Sequence, residues 1–343
     1  MSSFSIGAWR RRSWGLRHDL QLLGILTTVT VSLTLAATIP AAGLPGQAPG
    51  KNGTFTVAVN TSTIEAGPVY VVEVGPGGAH FRVINGGVRD LAGGRAQAAT
   101  NSETQMLLAS TTNPKIRMLL TLAEGRYRII GRKSAGINSL ADLRGKKITT
   151  VAQTSAHYYL FRMLKSAGLR ESDVTLVNVE RTDMARAVLR RDADAISMWE
   201  PEAQLTLEGL GRDASVFQNI ALYREWFSLY TTTDVLNDPS RRGELVEFVR
   251  LLLVAAGKAR MSPQDVIPIV ARKINRTEAT VKSAWPHHTF PAALPSEMLD
   301  VLTEEDRWLA SLQGRAPRTR EALATFIDAT VVRDAQQASP RTP

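Results

Sequence analysis

The sequence predicts an α/β protein built as two lobes, each a sheet flanked by helices. Short β-rich runs alternate with helical runs from Thr54 onward, the order that packs helices onto parallel strands. The alternation occurs twice, the second set starting near Lys133, and a long helical remainder follows Asp238. With 343 residues and 44% hydrophobic content, the chain has enough apolar material for two cores of ordinary size.

Each element has a local reason. "TFTVAV" is a first strand, rich in β-branched residues. "GPVYVVEVG" is a first helix, with Pro68 suited to its first turn and Gly75 to its end. "HFRVI" is a second strand; "VRDLAGGRAQAAT" reads as a short helix, a glycine turn and a third strand. "NSETQMLLAS" begins a helix, and "KIRMLLTLA" and "RYRIIGR" are two more strands. In the second set "KKITTV" is a strand. The helix from Ala156 to Ala167 puts Ala156, Tyr159, Leu160, Met163, Leu164 and Ala167 on one face, and Gly168 stops it. "VTLVNV", "DMARAVLRR", "DAISMW" and "PEAQLTLEGLG" continue as strand, helix, strand, helix; "SVFQNI" and "WFSLYTTT" are extended. An Asp/Pro/Ser start signal opens the long helix after Asp238, and further helices start near Ser262, Arg276, Ser296 and Arg318.

Net charge is +9. Before residue 44, four arginines stand against Asp19, a balance of +3 that leaves +6 for the rest. Those charges are scattered, so no nucleic-acid footprint is drawn. The absence of cysteine excludes a thiol nucleophile, a thiolate metal site, disulfides and an acylated lipoprotein cysteine. There is no P-loop, no GxSxG and no HExxH, and no cofactor is expected. His287-His288 are adjacent with no third ligand near, which makes a poor metal site.

The first 43 residues follow the order of an export signal. "WRRRSWGLRHD" is basic, Leu20 to Ile39 carries no charge over 20 residues, and "PAAGLPGQAPG" is small and flexible. The expectation is an exported, extracytoplasmic protein; a span of this length also allows an uncleaved membrane anchor.

Ligands of such sheets bind beyond the carboxyl ends of the strands, where strand-to-helix loops gather. Those loops are residues 60–65, 100–103, 153–157 and 199–202. A helix N-terminus offers unpaired N–H groups and about half a positive charge. Helices that bind nothing usually bring their own acid, as Asp183, Glu202 and Glu244 do here. The helix after Ser155 brings none: Ala156, His157 and Tyr158 open it. Two readings fit: Ser155 is an ordinary N-cap, or the helix start receives a ligand's negative charge. Trp199-Glu200-Pro201 also has two readings. It supplies a flat wall and an acceptor to the same mouth, or it packs a Trp at a sheet edge beside a solvated Glu. Ser62, Thr63, Asn101 and Ser102 follow the first and third strands, where small polar residues are often caps alone.

The order "SLADLRGKKITTVAQTSAHYYLFRMLKSAGL", "VTLVNV", "DAISMWEP" resembles the periplasmic substrate-binding proteins of ABC importers, in the nitrate, sulfonate, taurine and thiamine-precursor branch. Asp142-Leu143-Arg144-Gly145-Lys146-Lys147 matches the family's D-L-K-G-K pattern, and Thr154-Ser155 stands at its small-residue loop. Gln153-Thr154 departs from it by replacing the usual glycine before the serine. The resemblance spans roughly residues 54 to 335 and implies a type II Venus-flytrap fold with two hinge strands and C-terminal helices. Hinges would lie near Ile130 to Arg132 and Tyr230 to Thr232, giving lobe 1 as 54–131 plus 231–335 and lobe 2 as 132–230.

Such a protein makes and breaks no bond. It closes on a small molecule and presents it to a membrane permease and its ATPase, acting as a monomer. Thr154, Ser155 and the N–H groups of Ala156 and His157 would take the ligand's acidic end. Trp199 would pack on its body, Glu200 would accept from a donor, and Ser62, Thr63, Asn101 and Ser102 would close from the other lobe. An organic sulfonate or similar anion is the first expectation. A pyrimidine-like or amine-bearing ligand is the second, since Glu200 in the mouth would suit a donor; the loops hold no strong arginine candidate, which counts against the sulfonate. Related enzymes of this lobe plan carry a cysteine-rich motif or a cofactor-bearing cysteine, both absent here, and a membrane-anchored sensor is the remaining alternative.

Overall fold

The computed structural model describes residues 53–338, so the export-type segment at 1–43 lies outside the described residues. No helix among those described is long and apolar enough to cross a membrane. The first pass of the chain forms β1 (Phe55–Val59), α1 (Gly67–Val74), β2 (Phe81–Asn85), β3 (Ala98–Ser102), α2 (Glu103–Ala109) and β4 (Ile116–Gly125). The second forms β5 (Arg128–Arg132), β6 (Lys147–Thr149), α3 (Ser155–Ser166), β7 (Thr175–Val177), α4 (Met184–Leu189), β8 (Ala195–Met198), α5 (Glu202–Leu210) and β9 (Ala214–Phe217). The return begins with β10 (Glu225–Thr232) and continues through α6 (Thr233–Asn237), α7 (Pro239–Met261), α8 (Pro263–Lys273) and α9 (Glu278–Ala284). It ends with β11 (His288–Thr289), α10 (Met298–Gln313), α11 (Arg320–Ala324) and α12 (Thr330–Gln337).

These strands make two sheets, one per lobe. The first has the order β11-β4-β10-β3-β1-β2 and the second β7-β6-β8-β5-β9. The expected parallel arrangement holds for β1 with β2 and β3, and for β6 with β7 and β8. Besides the short edge strand β11, antiparallel to β4, two strands run the other way: β10 is antiparallel to β3 and β4, and β5 to β8 and β9. Each is the strand that arrives from the other lobe. It enters at the carboxyl ends of the parallel strands and so must run against them. The chain therefore changes sheet at residues 126–127 and 218–224. Ile130 to Arg132 and Tyr230 to Thr232, where hinges were expected, lie inside β5 and β10, each wholly within one sheet.

Two apolar clusters hold the layers. Over the first sheet, Phe55, Phe81 and Phe248 pack with ring centroids 5.1 to 6.3 Å apart, tying β1 and β2 to α7. Burying each ring contributes about 2 kcal/mol. Over the second, α3 buries Ala156, Tyr159, Leu160, Met163 and Leu164, the face its 3.6-residue spacing predicts. Both β5 and β10 are buried along their whole length, which suits strands covered on two faces.

Candidate functional site

The four loops expected to gather at the strand ends meet in one cleft between the sheets. Asn60, Thr63 and Glu65 come from the β1–α1 loop; Asn101, Ser102 and Gln105 from the end of β3 and the start of α2. Thr154 and Ser155 come from the start of α3, Trp199 from the end of β8, and Glu225 and Phe227 from β10. About 40 Å³ of space lies between them, room for roughly three waters. The mouth is bridged where Gln105 Nε2 donates to the Gln153 carbonyl at 3.1 Å. A solute of several heavy atoms gains access only if the lobes part.

The start of α3 keeps its donors available. Thr154 occupies the N-cap position, but its hydroxyl donates to the Val151 carbonyl at 2.7 Å and caps nothing. No acid stands in the first turn, and nothing among the described residues accepts from the N–H groups of Ser155, Ala156 and His157. Gln153 has φ 57, the left-handed conformation that glycine adopts without cost. This chain thus keeps the backbone turn of a glycine position while carrying a side chain there. The turn is held by the Gln153 N–H donating to His157 Nδ1 at 3.1 Å. That contact occupies the imidazole, whose Nε2 stands 2.8 Å from Glu171. Neither His157 nor Ala156 lines the cleft.

The floor of the cleft is acidic, which the sequence pattern did not anticipate. His288, Gly125 and Glu225 lie side by side across β11, β4 and β10. Glu65 rises beside Gly125. A β-carbon on Gly125 would fall 2.8 Å from Glu225 Oε2 and 3.3 Å from Glu65 Oε1, so both carboxyls converge on the one position that lacks a side chain. Burial, with Glu65 and Glu103 nearby, pushes the Glu225 carboxyl well above the ordinary range. Ser155 Oγ, expected to meet an anion, instead lies 2.9 Å from Tyr127 Oη and donates to Glu225 Oε1 at 3.4 Å. No lysine or arginine lines the cavity.

Two more of the expected residues, Ser62 and Glu200, lie elsewhere. Ser62 donates to Asn60 Oδ1 at 2.6 Å and shapes the β1–α1 loop without lining the space. Glu200 is buried away from it. Its Oε1 accepts from Arg128 Nε at 2.9 Å and its Oε2 from the Gln204 N–H at 2.9 Å, which pins α5 to β5. Burial pushes the Glu200 carboxyl up, and Arg128 opposes that. Trp199 does line the cleft, half-buried, with its Nε1 enclosed and unbonded. Sequence reasoning missed Glu65, Gln105 and Glu225. Glu65 sat inside the loop it pointed to. Glu225 opens an apolar strand and has no local signal.

A family model, NMT1/THI5 like, matches residues 85–266, more than half of the chain. The chain belongs to the NMT1/THI5-like family. Its matched span runs from the end of β2 into α8 and includes the whole second sheet. Among curated relatives, the chain is 26% identical over 140 residues to the taurine-binding periplasmic protein of Escherichia coli (strain K12). That alignment covers 40% of this chain and 42% of the relative, so it spans about two fifths of the relative's length. Among solved structures, the periplasmic aliphatic sulphonate binding protein SsuA from Escherichia coli superposes with a TM-score of 0.63 at 15% identity, over 78% of this chain and 90% of that one. The desulfurization enzyme DSZB superposes at 0.60 with 17% identity, over 82% and 99%. At such identities the likeness shows the fold alone, the two-lobed fold of periplasmic binding proteins. The same fold carries an enzyme, so function has to be argued from the cleft.

Proposed function

We propose that this NMT1/THI5-like protein is the extracytoplasmic solute-binding component of an ABC importer. It captures a small organic molecule between its lobes and delivers it to a membrane permease with its ATPase, without chemistry on the solute. The lobes divide at the two links between sheets, 126–127 and 218–224. One observation carries the reading: loops from both sheets converge on a single enclosed cleft where several polar groups lack hydrogen-bond partners. These are three N–H groups at the start of α3, the Trp199 Nε1 and the Glu65 carboxyl. Buried polar atoms of a folded protein are normally bonded, so a set of them facing one space favours a ligand that supplies the missing partners.

The ligand's acidic group, a sulfonate or carboxylate, lies against the α3 N-terminus. The taurine-binding and aliphatic sulphonate-binding names of the relatives support this class. Periplasmic placement of those relatives and the export-type N-terminus support an extracytoplasmic location. The test is a thermal-shift screen of the purified protein against alkanesulfonates, nitrate, pyrimidines and amines. A ligand at 100 times its dissociation constant adds about 2.7 kcal/mol of stability. The expected result is a hit with an anion-bearing compound that a Ser155→Asp variant loses. Silence across the panel overturns the reading.

A further inference from the structure

The floor of the cleft specifies the other end of the solute. Glu65 is 1% exposed, and neither of its carboxyl oxygens accepts a hydrogen bond. Its nearest polar neighbour is His288 Nε2, 3.3 Å from Oε1. His288 Nδ1 faces the Ala284 carbonyl at 3.2 Å and must donate there, since a carbonyl only accepts. The Nε2 to Glu65 contact therefore needs a proton from one partner or the other, and Glu65 Oε2 gains nothing from it. Across the Gly125 gap, Glu225 receives a long bond from Ser155 at 3.4 Å, with the Tyr127 hydroxyl beside it. Two enclosed carboxyls with spare acceptor capacity thus face one space that holds no lysine or arginine. Leaving such oxygens unbonded is costly, and a group bearing several N–H donors and a positive charge satisfies both at once.

Resting on the reading of this cleft as the solute site, we propose that the solute carries a protonated amine whose N–H groups bond Glu65 and Glu225. The cleft then selects an amino-bearing anion over the same anion without the amine. The amine sits on the Gly125 side and the acid against α3. The geometry explains why Gly125 has no side chain: a methyl group there would take the place of the ammonium.

Matched pairs test this by isothermal titration calorimetry on the purified protein. Taurine is compared with ethanesulfonate, 3-aminopropanesulfonate with propanesulfonate, and β-alanine with propionate. The amine should tighten binding by about 10- to 100-fold in at least one pair, the worth of a charge-assisted hydrogen bond. In Glu65→Gln the ratio within that pair should fall towards one, with the amine-free member still binding. A misfolded variant would lose both members, so the ratio separates the two causes. If an amine-free anion binds as tightly as its partner, the solute-binding reading stands and the amine site falls. If the ratio survives Glu65→Gln, the assignment to Glu65 falls. If no member of any pair binds, the amine proposal falls. A hit in the wider screen would then keep the solute-binding reading alone.

Discussion

Replacing Glu305 with glutamine should remove a pH dependence of stability that burial has built into the first lobe. Glu305, on α10, is fully buried against Glu103 in the first turn of α2, also fully buried. Glu103 accepts from Tyr223 Oη at 2.5 Å and from the Trp226 N–H at 3.0 Å, while neither carboxyl oxygen of the neighbouring Glu305 has a hydrogen-bond partner. Two enclosed carboxyls side by side disfavour a second charge, and the bonds that Glu103 accepts leave the proton on Glu305. Burial, reinforced by Glu103, pushes the Glu305 carboxyl well above the ordinary glutamate value of 4.5. The unfolded chain releases that proton near pH 4.5 and the folded one keeps it. The contribution is therefore complete below pH 4.5 and is lost as pH rises, by about 1.4 kcal/mol per pH unit while the folded state stays protonated. Between pH 5.5 and 7.5 that is at most about 2.7 kcal/mol. Glutamine keeps the shape and can donate to Glu103 without a titrating proton. In urea denaturation at both pH values, the variant should gain on the parent as pH rises, by up to about 2.7 kcal/mol. Equal slopes for variant and parent, or a parent that grows more stable towards pH 7.5, would refute the reasoning.

Three further substitutions probe the frame around the cleft. Arg128→Met leaves Glu200 buried with its cation gone; the expected loss is about 3 kcal/mol or more by chemical denaturation, with Glu200→Gln costing less because no charge is stranded. Gly125→Ala drives a methyl to 2.8 Å from Glu225 Oε2, and should cost about 1 to 3 kcal/mol in the same assay and weaken any solute bound in the cleft. Gln153→Gly relieves a left-handed residue at φ 57; the variant should be as stable as the parent or gain up to about 1 kcal/mol, and a clear loss would show that the side chain holds the turn.

Much of the molecule was legible without coordinates because it rests on local rules. The buried face of α3 follows from its 3.6-residue spacing, and the acid-free start of that helix is a property of four consecutive residues; that it is also uncapped was settled by the structure. The loops that form the cleft follow from strand-to-helix order alone, and all four contribute to it. Strand direction was less legible. The expectation of parallel sheets broke at β5 and β10, because a strand's sense depends on which lobe it comes from, and that is a matter of long-range topology.

The sequence by itself determined the layered α/β architecture, the family and the place of the cleft. It did so through periodicity, helix-start chemistry and loop order, which act over a few residues. Only the tertiary structure decided which acids line the cleft. Glu200 looked ready for the cleft, yet Arg128, 72 positions away, turns it into a support for α5. Glu225 looked like the edge of an apolar strand, yet pairing across β4 sets it beside Gly125 and opposite Glu65. A buried carboxyl is stable only with the partner or proton that the fold brings to it, and neither is written in the residues on either side.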